Sequence, residues 1–379
     1  MSDRRRAPET PDLVAVAGAA GASPSADVPL AAAGGPSGPV PGTSTAMMVT
    51  LIVPIRNERH RLRGCLASIL AQDYPLDRVE VLLLDGQSTD GTQEIAREII
   101  EANPSVSITL NDNPRRVPAA ALNIGIRRAR GRYILRLDAH CEAAPDFIRK
   151  TLEVLDRTGA ACVGACVTSV GEGRTARAIA LAMGSPFGVG NSHFRFAQKE
   201  REVDAVAFGA YRREIFDEVG LYDEDLVYSE DNEFNDRLTR AGRKVLLSPE
   251  IRVRYYTRET PRALWRQYFS YGRGRTRYMV RAPGSIRLRH LVPFAFVMFL
   301  QIALLLGFLD AWFWVLMLGV LGLWAGAAVG ATLLLGRAHP ESRDALPLVP
   351  PAFACQHFGY GAGQCAGLLA LARGFYNRT

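Results

Sequence analysis

Four short runs of aliphatic and β-branched residues, Val49–Val53, Val79–Leu84, Val106–Leu110 and Tyr133–Leu137, alternate with segments in which apolar positions return every three or four residues. The runs are apolar at successive positions, as strands of a sheet covered on both faces require. The intervening segments predict one helix over 62–72, with Leu62, Leu66, Ile69 and Leu70 on one side, and another over 92–100, with Ile95, Ile99 and Ile100 inward. A third helix starts at Pro118, a residue suited to the first helical turn. Alternation of this kind predicts an α/β fold with a mostly parallel sheet. Further along, 232–241 has helical spacing, with Phe234 and Leu238 on its inner side.

Beyond residue 290 the polar positions almost vanish. Leu291–Leu309 and Trp312–Leu335 are each near the roughly 20 residues needed to cross a bilayer, and Asp310 makes a polar turn between them, so a helical hairpin is predicted. A third stretch, Leu346–Ala372, is diluted by Pro350, Pro351, Gln356, His357 and Gln364; its glycines at 359, 361 and 363 suit either helix contact or an interfacial segment. At the other end, residues 1–46 are rich in Ala, Gly, Pro and Ser, contain no aromatic residue and are expected to be disordered. Arg4–Arg6 and the weakly apolar residues after it imitate a secretion signal, but Pro8, Pro11 and Asp12 interrupt it. The expected division is a disordered segment over 1–46, an α/β domain over 47–260, a basic juxtamembrane segment over 261–290 and a transmembrane region of two or three helices over 291–379.

Carboxylates fall where the predicted strands end. Pro54 stops the first run and Glu58 follows in its loop, Asp85 ends the second run, and Asp138 ends the fourth. Ligands of parallel sheets bind outside the carboxyl ends of the strands, which places these residues around one site. Asp85-Gly86 with Ser88, Thr89 and Asp90 reads either as a capped strand-to-helix turn or as a loop that accepts hydrogen bonds from a nucleotide. Asp138-Ala139-His140 puts two metal-competent side chains on one side of an extended segment. Glu230-Asp231 opens a helix, where an acidic residue serves equally as a cap or as a general base.

Together these motifs resemble the family 2 glycosyltransferases, which have the nucleotide-sugar-binding GT-A fold. Pro54–Glu58 resembles the family's opening loop, Asp85–Thr92 its second, Asp138–His140 its metal motif and Glu230-Asp231 its catalytic pair, in the family's order over about 48–278. The resemblance implies a GT-A domain followed by transmembrane helices. It implies that Glu58 and Asp85 hold uridine with Pro54 shaping the loop, and that Asp231 is the base of an inverting transfer with Glu230 beside it. It also implies that Asp138 and His140 bind Mg2+ or Mn2+ against the donor's diphosphate. The family more often has aspartate where this chain has His140; imidazole suits manganese better than magnesium. Arg116, Arg273 and Arg275 are candidates for the nucleotide or its phosphates, since arginine binds phosphate bidentately. Asp138–His140, Gly188–Ser192 and the tail over 357–363 are most similar to succinoglycan-type exopolysaccharide glucosyltransferases. That implies transfer of glucose from a UDP-sugar to a polyprenyl-diphosphate-linked saccharide in a bacterium. The alternatives are a polyprenyl-phosphate sugar synthase and a nucleotide-binding scaffold of a polysaccharide complex.

The formal charge of +7 comes almost entirely from arginine, since Lys150, Lys199 and Lys244 are the only lysines. No RNA-binding motif accompanies these arginines, which argues for anionic lipid or lipid diphosphate rather than nucleic acid as the partner. Those from Arg262 to Arg289 precede the first apolar stretch and place the α/β domain on the cytoplasmic side of a multi-pass protein of the inner membrane; Arg337 and Arg343 agree. Arg373 and Arg378 disagree if the third stretch crosses. Six cysteines without paired spacing, among them Cys162 and Cys166 in an apolar run, suit a reducing compartment.

Overall fold

The computed structural model describes residues 47–373 except Asn191. The expected disordered segment over 1–46, Arg378 and Asn191 of the Gly188–Ser192 stretch lie outside the described residues.

The chain runs through β1 (Val49–Ile55), α1 (Leu62–Leu70), β2 (Val79–Asp85), α2 (Thr92–Ala102), β3 (Ser107–Asp112), α3 (Pro118–Arg128) and β4 (Tyr133–Arg136), as the periodicity predicts. It continues through β5 (Cys141–Ala143), α4 (Phe147–Thr158), β6 (Cys162–Val170), α5 (Gly173–Met183), α6 (Pro186–Val189), β7 (Arg201–Glu202), β8 (Ala210–Arg212), α7 (Ile215–Val219), α8 (Glu230–Arg240) and β9 (Val245–Tyr256). Four longer helices follow: α9 (Pro261–Arg281), α10 (Leu288–Leu306), α11 (Trp312–Ala338) and α12 (Val349–Ala372). The strands form one sheet in the order β3-β2-β1-β4-β8-β6-β9-β5, with β7 beside β9. Strands β1 to β4 are parallel, whereas β8 runs antiparallel to both β4 and β6, so the sheet is mixed. The first three strands progress outward from β1 and β4 returns to its other side; the crevice at the carboxyl ends of β1 and β4 is therefore a topological switch point.

Successive residues of β1 enter opposite cores, Leu51 and Val53 with Leu66 and Ile69 on one face, Ile52 with Leu82, Leu122 and Phe234 on the other. Burial on both faces explains the unbroken apolar runs. One boundary differs from expectation: β1 passes through Pro54 to Ile55 instead of stopping there. Pairing with β4 ends at Ile52, whose carbonyl accepts from Leu137 at 3.1 Å. Position 54 faces that same, now unpaired, side, where a residue without an N–H removes no ladder bond. Pro54 thus marks the point at which β4 leaves the sheet and opens the crevice.

Of the three apolar stretches, one meets the length and apolarity of a membrane span. Helix α11 has 27 residues and a mean hydropathy of 2.0, and at 1.5 Å per residue is about 40 Å long. The apolar part of α10, His290–Leu306, is shorter. Helix α12 has the length but not the apolarity, and its polar residues face protein. Gln356 and Gln364 are buried, and Val349, Ala352 and Phe353 join the same core as the sheet. Its glycines let α9 lie against it: a Cβ on Gly363 would stand 2.0 Å from the carbonyl oxygen of Phe269, and one on Gly272 of α9 would stand 2.0 Å from that of Tyr360.

Close approach of α9 and α12 generates a paired expectation. Gly363→Val should force the helices apart and lower the apparent thermal midpoint by several degrees, in line with about 1–3 kcal/mol for overpacking. Gly319→Ala in α11, where no atom lies within 4 Å of the added Cβ, should leave it unchanged. Thermal unfolding of both variants in the same detergent decides; equal midpoints would mean that the α9–α12 contact is looser than described.

Candidate active site

Four loops meet at the carboxyl end of the switch point, and their backbone is held in unusual conformations. Asn57, Gln87, Arg116 and Ser229 all have positive φ, between 55° and 75°. Such angles are costly for residues other than glycine and collect at functional sites. The first two loops are stitched together: Asn57 N donates to Ser88 Oγ, Thr89 N to Asn57 Oδ1, Glu58 N to Thr92 Oγ1 and Arg59 N to Asp90. Asp85 is buried within this stitching, accepting from Ser88 N, from Ser88 Oγ at 2.6 Å and from Gln93 Nε2 at 2.6 Å. Arg116 reaches the same loop and donates to Gln87, while its carbonyl accepts from Arg56. Arg115 turns elsewhere, to Glu224 and Asp225.

The remaining carboxylates converge on a residue that the motifs did not single out. From β4, Arg136 donates through Nε to Asp138 Oδ1 at 3.0 Å and through Nη1 to Glu230 at 3.3 Å and Asp231 at 2.6 Å. The sequence carries a signal for it: an arginine inside an otherwise apolar buried strand must be paired. Glu230 and Asp231 are the first residues of α8, which begins directly after the positive-φ Ser229. The Asp231 side chain is 29% exposed against 9% for Glu230, so Asp231 is the more accessible.

Three carboxylates share one guanidinium, and their ionisation reflects this. Burial opposes the Arg136 charge, but Asp138, Asp231 and Glu230 outweigh it and hold the guanidinium well above its ordinary range. Burial raises the Asp138 carboxyl, but Arg136, then His140 and Arg258, more than offset it and keep Asp138 below its ordinary range. Glu230 is pushed up to about 7 by burial and then by Asp231, against Arg136. Asp231 is raised as well, by burial and Asp138, against Arg136.

His140 sits beside this cluster. Its Nδ1 is 3.0 Å from Glu58 Oε1, and its ring meets Tyr255 edge-on at 5.0 Å. The turn carrying Asp138 and His140 is fixed by Cys141 N donating to the Asp138 carbonyl and Tyr256 N to that of His140. Among the described residues no group of three or more His, Cys, Asp or Glu side chains could hold a metal alone. Asp138 and His140 could hold a divalent cation only together with ligands supplied by a substrate. Arg136 engages Oδ1 of Asp138, Glu58 engages Nδ1 of His140, and the other atom of each remains for a ligand role. Magnesium in particular is usually held by one or two carboxylates with substrate phosphates and water.

Structure therefore brings Asp138, Glu230 and Asp231 together, joins Glu58 to His140, and keeps Asp85 and Arg116 at the stitched loops. Arg273 is exposed on α9. Arg275 lies 5.7 Å from the Tyr278 ring centre, in a groove with Asp204, Asn232, Asp236 and Arg287, rather than on the carboxylate cluster. Helix α9 still borders the site: Gly274 lies against Tyr228, two residues before Glu230, and Tyr271 meets the Tyr228 ring at 6.0 Å.

Comparison with known proteins agrees with this fold. Residues 50–220 match the family model described as Glycosyl transferase family 2. The chain is 31% identical over 335 residues to the succinoglycan biosynthesis protein ExoA of Rhizobium meliloti, covering 87% of this chain and 97% of that protein. It is 29% identical over 267 residues to a dolichyl N-acetyl-alpha-D-glucosaminyl phosphate 3-beta-D-2,3-diacetamido-2,3-dideoxy-beta-D-glucuronosyltransferase of Methanococcus voltae, covering 69% of this chain and 82% of that one. A mannosyltransferase of Pyrobaculum calidifontis, solved with GDP-Man and Mn2+, shares the fold with a TM-score of 0.52 and 20% identity, covering 87% of this chain and 88% of the other. The chain belongs to glycosyltransferase family 2.

Proposed function

We propose that this protein is a membrane-anchored, inverting glycosyltransferase of exopolysaccharide synthesis. It moves a sugar, glucose in the first instance, from a UDP-sugar to a polyprenyl-diphosphate-linked saccharide. The observation that carries this reading is the sharing of Arg136 by Asp138, Glu230 and Asp231 at the switch point of a nucleotide-binding sheet. Likeness to a succinoglycan biosynthesis protein over most of both chains supports the pathway class. Helix α11 and the arginines ahead of α10 support anchoring with the catalytic domain on the cytoplasmic side.

In this reading the stitched loops with Glu58, Asp85 and Arg116 form the floor on which the nucleotide lies. Asp138 and His140 would hold Mg2+ or Mn2+ against the donor's diphosphate, where a divalent ion neutralises charge on the departing nucleotide. Asp231 accepts the proton of the acceptor hydroxyl as that oxygen attacks the anomeric carbon from the face opposite the diphosphate. Arg136 keeps Asp231 oriented through the 2.6 Å bond, and burial, which raises the affinity of Asp231 for a proton, makes it a stronger base than an ordinary carboxylate. Glu230, more deeply buried, sets the local field.

UDP release by the full chain in native-type membranes, with a panel of UDP-sugars, lipid-linked acceptors and Mg2+ or Mn2+, tests the reaction. Asp231→Asn should lower kcat by about 10²–10⁴, the usual contribution of a general base. Asp138→Ala and chelation by EDTA should each abolish turnover. Undiminished turnover in Asp231→Asn removes it as the base, and turnover in EDTA removes the metal. A monosaccharide-lipid product made from a bare lipid phosphate would instead identify a polyprenyl-phosphate sugar synthase.

The carboxylate pair also generates a pH dependence. Transfer should rise from acid toward neutral pH as the pair ionises, and Glu230→Gln should move that acidic limb to lower pH, because Arg136 is then shared by fewer carboxylates. Glu230 titrates at about 7 in the folded chain against an ordinary 4.5. Its contribution to stability is therefore full below 4.5 and is lost as pH rises through 7. Thermal midpoints at pH 5 and 8 should differ less in Glu230→Gln than in the wild type; an unchanged difference and an unmoved limb would show that Glu230 titrates normally.

A further inference from the structure

Helices α9 and α12 run side by side in the same direction, in contact from one end to the other. Cys355 Sγ donates to the Pro261 carbonyl, Gln356 Nε2 donates to the Tyr268 hydroxyl at 2.9 Å, and the Thr276 hydroxyl donates to the Gln364 carbonyl at 3.3 Å. A Cβ on Gly359 would stand 3.3 Å from the Trp265 carbonyl oxygen, and one on Gly367 would stand 2.8 Å from the Thr276 side chain. Whatever medium surrounds α9 therefore reaches α12 at the same depth. Helix α9 carries Arg262, Arg266, Arg273, Arg275, Arg277 and Arg281, of which the first three and the last are exposed. An arginine facing hydrocarbon is costly, so a helix with four exposed guanidiniums lies outside it. Helix α12, packed along α9, lies outside it as well.

The chain between these two helices is built differently. Phe308, Leu309 and Trp312 at the α10–α11 turn are exposed, as are Leu318, Leu323 and Leu334 along α11. The single charged residue of α11 is Arg337, in its last turn. Both ends of this stretch are fastened to the rest of the protein. At its start, the His290 carbonyl accepts from Gln364 of α12 at 3.1 Å, and a Cβ on Gly361 would stand 2.3 Å from the Pro293 carbonyl oxygen. Just after its end, Asp344 pairs with Arg177 of α5, and its carbonyl accepts from Arg174. A stretch tied at both ends to one folded body comes back to the side from which it left.

We propose that residues 288–338 enter one bilayer as a hairpin and return to the face they left, while α12 stays beside α9 outside the hydrocarbon. The partner of the exposed apolar side chains is lipid acyl chain: at about 40 Å, α11 exceeds the roughly 30 Å of a hydrocarbon core and keeps its charge at one end. The α/β domain and the chain beyond α12 then share one side of the membrane. This deepens the anchoring proposed above and does not need the transfer reaction. It also removes the conflict posed by Arg373, which a third crossing would put on the far side.

The full chain, with an epitope tag after Thr379 and expressed in a bacterium, is treated with external protease in spheroplasts and in inverted membrane vesicles. Tag and α/β domain should both survive in spheroplasts and both be cut in inverted vesicles. Loss of the tag alone from spheroplasts would show that α12 crosses, and would overturn the hairpin while leaving the anchoring in place. Cleavage of both in spheroplasts would keep the hairpin and overturn the cytoplasmic placement of the domain. Retention in the membrane after alkaline carbonate separates lipid contact from packing against protein. Leu318→Lys with Leu323→Lys should lower the retained fraction by about tenfold or more, the scale of charges placed within a span. Leu368→Lys with Leu369→Lys, at exposed positions of α12, should leave it unchanged. Full retention of the first variant, or release of the second, would overturn the assignment; release of the wild type would overturn the anchoring with it.

Discussion

Arg136 leaves a central strand and joins carboxylates from two distant parts of the chain, Asp138 two residues later and Glu230 and Asp231 94 and 95 residues away. Removing a buried partner from such a set commonly costs about 3–5 kcal/mol, because the charges left behind are neither solvated nor paired. One guanidinium cannot neutralise three carboxylates, however. Burial first, and the residual negative charge after it, raise Glu230 and Asp231, and that charge is the electrostatic condition under which a divalent cation would be welcome. Position of the base candidate and the charge around it thus trace to the same side chain.

The sheet supplies the place for this interaction. Because β4 returns to the far side of β1 and parts from it after Ile52, a crevice opens where Pro54 needs no partner and Asp138 can turn toward α8. Hydrogen bonds between the loops after β1 and β2 then fix its other wall, at the expense of positive φ angles at Asn57 and Gln87. Strain of this kind persists only when surrounding contacts over-determine it, and here each loop is the other's support.

Helices α9 and α12 connect the crevice to the apolar end of the chain. Glycines at 272 and 363 bring their backbones into contact, Gln356 of α12 donates to Tyr268 of α9 at 2.9 Å, and His357 accepts from Trp324 of α11 while its other nitrogen lies 2.7 Å from the carbonyl of Phe187. Tyr271 of α9 borders the site on the same side. Any movement of α11 relative to the sheet would therefore be felt at the crevice through packed, polar contacts rather than through a flexible linker.

The parallel strands, the helices between them and the family motifs were legible in the sequence, because burial on both faces of a strand and one-sided burial of a helix leave periodic marks along the chain. The places of Glu58, Asp85 and Asp138 near strand ends and of Asp231 in the first turn of a helix are local features that a sequence displays. What only the tertiary structure decided is which of these side chains meet. Arg136 as the common partner and Glu58 facing His140 depend on contacts between segments tens of residues apart. The nature of the third apolar stretch was likewise decided in three dimensions, since Gln356 and Gln364 dilute its composition yet are buried against neighbouring helices. Periodicity records which side of an element is covered; it carries no record of what covers it.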